Sequence, residues 1–117
     1  MIGFILLIVS ILLKKILNII LFIYGFFRAI TKWELNSYFR QLAIANDRSG
    51  NVIGQYLFND ILIKKGGYRF GNGKETISSV VGKNKVNKTF KSMGNVVDST
   101  LNFLEKGHSI KAIDDKV

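Results

Sequence analysis

The sequence predicts an all-α protein, with an N-terminal transmembrane or interfacial amphipathic helix followed by a small domain of about three helices around a Gly-rich basic loop. Three observations carry this. Residues 2–27 are almost wholly apolar. Beyond Glu34, apolar residues recur at intervals of three and four, the period of a helix with one buried face. Between two such stretches lie Gly66, Gly67, Gly71 and Gly73, which mark an irregular segment. The expected organisation is a membrane-associated helix over 1–33, a helical domain over 34–109 and a flexible tail over 110–117.

The first element is two apolar runs, residues 2–13 and 16–27, separated by Lys14 and Lys15. Spanning a bilayer takes roughly 20 apolar residues, so neither run suffices alone. Joined, they hold two lysines at the centre, each costing about 2.5–3.5 kcal/mol against roughly 0.3–0.6 returned per Leu, Ile, Phe or Val. About twenty such residues offset the pair. At 100° per residue, Ser10, Lys14, Asn18, Gly25, Arg28 and Lys32 fall on one narrow stripe, the polar face of an otherwise greasy helix. Such a helix lies in the interface with its lysines among headgroups, or spans as a single anchor whose lysines snorkel outward. Alternatively, it spans in an oligomer whose polar stripes face one another or water, or is the buried core helix of a complex. Tyr24 and Trp33 suit the membrane interface. A cleaved signal peptide fits poorly, because no basic residue precedes the run and no small-x-small site follows it.

Leu35, Tyr38, Phe39, Leu42 and Ala45 define the next helix, which the turn-forming cluster Asp47–Asn51 should end. Residues 52–64 then read as a helix with Ile53, Tyr56, Leu57 and Ile61 inward, or as a strand through 56–63; short apolar runs do not separate the two. Lys64-Lys65-Gly66-Gly67 is a helix stop. After the glycine loop, Glu75-Thr76 or Ser78 is placed to open a short helix. Val86, Phe90, Met93, Val97, Leu101, Leu104 and His108 predict one helix from about 85 to 106, with Gly107 just past its end.

Charge is unevenly spread. The chain carries a formal +9, and residues 64–91 concentrate Lys64, Lys65, Arg69, Lys74, Lys83, Lys85, Lys88 and Lys91 against the single acid Glu75. With Tyr68, Phe70 and Phe90 interleaved, this stretch suits anionic lipid headgroups, nucleic acid or plain solvation. Headgroups are the simpler partner next to a membrane segment. The positive-inside rule puts residues 33–117 on the cytoplasmic side.

Most chemistry is excluded or unsupported. Without Cys there is no disulfide, thiol nucleophile or zinc–thiolate site. One His and scattered carboxylates argue against a metal cage, and no cofactor is expected. Phosphate-loop spacing fails, because Tyr68 stands six positions before Lys74 and Glu75 follows it. His108 reads as a capping or packing residue, since a catalytic base needs a partner that the sequence does not display. Asp47, Asp60, Glu75 and Asp98 share no helical face, and Ser78-Ser79 read as helix-start hydroxyls.

Asp47-x-x-Gly50-Asn51, then Gly71-Asn72-Gly73-Lys74-Glu75-Thr76-Ile77-Ser78-Ser79, then Leu104-x-x-x-His108-x-x-x-Ala112 resembles a group of small tailed-phage and prophage proteins with a GN…ETISS…H signature. It covers about two thirds of the chain; Ser109 stands where those proteins often have Cys, and the apolar N-terminus is unusually long. The resemblance brings no activity. It implies a viral accessory protein at the host inner membrane, and that Glu75, Thr76, Ser78, Ser79 and His108 form one local structure. On physical grounds Glu75 or Thr76 is expected to cap a helix start and pack against the end of the last helix, near His108. The expected function is non-enzymatic, through membrane association and protein contacts that include self-association. The alternatives are a holin-like oligomeric pore lined by Lys14, Asn18 and Arg28, and a membrane-tethered nucleic-acid binder using 64–91.

Overall fold

The computed structural model describes all residues, 1–117. It is all-helical: α1 (Ile2–Thr31), α2 (Leu35–Ile53), α3 (Gln55–Ile61), α4 (Ile77–Asn87), α5 (Ser92–Leu104) and α6 (His108–Lys111). The chain divides into two compact units, residues 1–41 and 42–117. The division falls within α2 and not at residue 33.

In the first unit α1 runs unbroken through Lys14 and Lys15 for 30 residues. Its interior amides bond within the helix, so only side chains meet the surroundings. It stops in a Schellman pattern: the Trp33 N–H donates to Ile30 O (3.1 Å) and the Glu34 N–H to Ala29 O (2.8 Å). Trp33 holds the left-handed position, φ 59°, where glycine is usual, and its side chain is 96% exposed. The start of α2 folds back so that Tyr38 lies on Gly25, leaving no room for a Cβ there. Phe22 stacks on Tyr38 and Phe26 on Phe39.

The second unit has a small apolar core of Leu62, Ile63, Phe70, Val80, Val81 and Phe90, flanked by Phe58, Tyr68, Ile77, Val97 and Leu101. Several predicted boundaries differ. The cluster Asp47–Asn51 does not end α2, which continues to Ile53, because Asp47 and Asn51 spend their side chains on residues 71–78 instead of on a local turn. The break comes at Gly54, and α3 covers only part of 52–64. Ile53, Tyr56, Leu57 and Ile61, expected inward, are exposed, and Phe58, Leu62 and Ile63 pack inside. A trace of the strand alternative survives as one antiparallel bridge between Ile63 and Phe90.

The helix predicted over 85–106 is two helices. α4 ends in a second Schellman pattern, Lys88 N–H to Lys85 O and Thr89 N–H to Asn84 O, with Lys88 at φ 56°. That turn swings Phe90 into the core, and Val86, Met93 and Leu104 of the predicted apolar line face solvent. Meanwhile two glycines sit inside helices where backbones meet. A Cβ at Gly82 would strike Ser109 O, and one at Gly94 would strike Leu62 O. Gly82 thus seats α6 against α4. Residues 110–117, expected to be a loose tail, lie on the same surface: the Asp114 N–H donates to Ser79 Oγ (2.8 Å) and Lys83 Nζ to Val117 O (3.3 Å).

Candidate functional site

Glu75, Thr76, Ser78, Ser79 and His108 lie together at the start of α4. Thr76 is the N-cap of α4, its Oγ1 accepting from the Ser79 N–H at 3.0 Å. Asp47 on α2 adds a second cap, Oδ1 taking the Ile77 N–H (3.0 Å) and Oδ2 the Ser78 hydroxyl (3.1 Å). A carboxylate here also complements the positive end of the helix dipole.

Behind the cap, Glu75 is 1% exposed. One carboxylate oxygen meets Lys83 Nζ (2.5 Å) and the Ser79 hydroxyl (2.7 Å); the other accepts from the Tyr68 hydroxyl (2.9 Å). Lys83 also lies 4.4 Å from the centre of the Tyr68 ring. Burial pulls the Lys83 ammonium down, but its hydrogen bonds to Glu75 and Tyr68 and the Glu75 charge outweigh this, leaving its pKa raised. The predicted basic loop is therefore not one surface: Lys83 is an interior ion-pair member. Lys85 pairs with Asp98 at 2.9 Å, and Lys91 Nζ donates to Asp60 O at 2.7 Å. Lys64, Lys65, Arg69, Lys74 and Lys88 are exposed. Phe70 and Phe90, read as faces for stacking on bases, are core residues.

The path of residues 66–75 is set by asparagines from outside it. Asn51 bonds the carbonyls of Asn72 and Glu75 and the N–H of Gly71. Asn59 takes both the N–H and the C=O of Phe70. Asn84 bonds the N–H and C=O of Tyr68, the Val80 carbonyl and the Thr89 hydroxyl. No buried side-chain nitrogen or oxygen is left without a partner.

His108 at the start of α6 closes the cluster, Nε2 at 3.1 Å from Ser78 Oγ and Nδ1 at 2.8 Å from Glu105 Oε2. Glu105 carries no signal in the sequence; its carboxyl is held below the usual range first by the hydrogen bond to His108, with burial opposing and the Lys111 charge adding to the lowering. Ser78, His108 and Glu105 have the connectivity of a Ser-His-acid triad. Ser78 Oγ stands 3.1 Å from both Asp47 Oδ2 and His108 Nε2, so the hydroxyl is held between a capping carboxylate and the imidazole. Ser78 is also only 6% exposed. The four groups form a clasp joining α2, α4 and the α5–α6 junction.

In the first unit, Ser10, Lys14, Asn18, Gly25, Arg28 and Lys32 all belong to α1 or its C-cap, so the stripe is continuous along one helix. Its C-terminal end is partly occupied by the chain itself, with Tyr38 on Gly25 and Ala29 buried. Tyr24 is exposed near that end. α1 is long and apolar enough to cross a membrane. In comparisons with known proteins, no family model, no curated protein and no solved structure matches the chain.

Proposed function

We propose that this is a small membrane-anchored accessory protein of the tailed-phage type, working through membrane association and protein–protein contacts without chemistry of its own. The observation that carries the reading is α1: of its 30 residues only Ala29 is buried, and its Ile, Leu, Val and Phe side chains lie open along most of its length. In water that surface is untenable; in lipid it is the contact itself. α1 anchors in the host inner membrane, with Lys14 and Lys15 reaching toward headgroups or toward a partner. Residues 33–117 then lie on the cytoplasmic side, in keeping with the basic character of that part. The clasp around His108 supports a structural role, since Ser78 is buried and is tied to Asp47 on α2 as well as to the imidazole.

The test is fractionation of cells making the full chain, with a carbonate wash and leakage followed in one culture. Retention without leakage is expected. Release by carbonate would overturn the anchor, and leakage abolished by Lys14→Leu with Arg28→Leu would replace it with a pore.

A further inference from the structure

Two neighbouring depressions on the 42–117 unit share a wall. Lys64, Lys85, Lys88, Phe90, Asn95 and Asp98 line an open cleft of about 310 Å³. Asn95, Val96, Ser99, Thr100 and Phe103 line a shallow groove of about 440 Å³ along α5. Asn95 belongs to both.

The charge in the cleft is not self-cancelling. Asp98 is already satisfied by Lys85 (2.9 Å) and the Ser109 hydroxyl (2.6 Å). Lys64 and Lys88 are exposed and form no ion pair. Their backbones are fixed: the Lys64 N–H donates to Thr89 O, and Lys88 occupies the left-handed turn that ends α4. The groove is the opposite in character. Asp98 is the only charged residue of α5 and is buried, so the outer face of that helix is uncharged. Phe103 stands 89% exposed on it and Val96 56%. An apolar strip that starts beside two unpaired ammonium groups matches an amphiphile with an anionic head. A face made to seat a helix without acidic side chains would gain nothing from the lysines. A nucleic-acid phosphate backbone would use the lysines but leave the apolar side chain of Val96 uncovered.

We propose that cleft and groove form one seat for an anionic phospholipid. Its phosphate lies between Lys64 and Lys88 with the Asn95 amide as a further donor, and its acyl chain runs beside Val96 and Phe103. The proposal rests on the membrane-anchored reading and gives the second unit its own lipid contact.

The chain has no Cys, so Ser99→Cys gives a single site in the groove for an environment-sensitive fluorophore. The labelled full chain in neutral detergent is titrated with short-chain phosphatidylglycerol or phosphatidylcholine. A saturable blue shift is expected with phosphatidylglycerol. At about 1 kcal/mol per basic residue, Lys64→Ala with Lys88→Ala should weaken it about thirtyfold, whereas Lys74→Ala, also an exposed lysine but outside the cleft, should leave it unchanged. Equal response to both lipids, or indifference to the double substitution, overturns the seat. So does a shift that needs no lipid and grows with protein concentration, which would assign the groove to a second copy. Retention after carbonate with no shift would remove only the seat; a lipid-specific shift in a chain that carbonate releases would remove only the anchor.

Discussion

The two units solve opposite problems. Along α1 the apolar side chains are outside and the few polar ones form a stripe. In residues 42–117 the largest fully buried side chains include Glu75, Asn51 and Asn84, with only six apolar residues in the core cluster. A helix that satisfies its own backbone needs nothing more from an apolar solvent. A small unit in water, with little apolar surface to bury, gains definition from polar groups whose every partner is present. On the membrane-anchored reading, the same chain carries one part specified by its solvent and another specified by hydrogen-bond geometry. Substitutions should sort accordingly.

The largest effect is expected in the first part. Lys14→Leu with Lys15→Leu removes an insertion penalty of about 5–7 kcal/mol, so the carbonate-resistant fraction should rise, while proteolysis of residues 42–117 is unchanged. A rise in protease sensitivity there would break the separation. Next, Glu75→Gln leaves the Lys83 ammonium without its counter-charge, at a cost of about 3–5 kcal/mol. Denaturant unfolding should register this loss, and adding Lys83→Met should recover part of it. No destabilisation would mean that the pair is not a foundation of the unit.

The pH dependence of that pair has a definite sign. Because the folded Lys83 pKa is raised above the ordinary 10.5, its contribution is full below that value and disappears as pH climbs through the higher folded value. Above pH 10.5 the unfolding midpoint of the parent should fall more steeply than that of Lys83→Met. Smallest is Trp33→Gly, which relieves a left-handed non-glycine residue worth about 1 kcal/mol. Thermal unfolding of the α1–α2 turn should shift slightly upward; a fall would show that the indole is needed where it stands.

Much of the fold is legible in the sequence. The apolar period over 2–27 gives α1 as one helix, and Thr76 is recognisable as a helix start. The errors share one cause. Both Schellman stops use residues that carry no stop signal, Trp33 and Lys88, whereas Gly50, Gly82 and Gly94 lie inside helices to admit Ile77, Ser109 O and Leu62 O. Local glycine rules were overridden by tertiary approach, so 85–106 looked continuous and 47–51 looked like a turn. At the site, Glu75, Thr76, Ser78, Ser79 and His108 lie in one cluster, but their roles come from residues outside it. Asp47, Asn59 and Asn84 reach partners 30, 11 and 16 positions away, separations that no period in the sequence reports, and Glu105 meets His108 three positions on. Lys83 shows the converse: summing charge over 64–91 counted an interior ammonium as surface.

Because Asn51, Asn59 and Asn84 hold the loop by its backbone, the side chains of Arg69 and Lys74 are bystanders to its shape. Mutational tolerance is thereby inverted along the chain. The irregular segment should accept new residues at those two exposed positions, while three asparagines within or beside regular helices should accept almost none. A lineage under pressure to change what it contacts has in this loop a face that can be rewritten without refolding the unit beneath it.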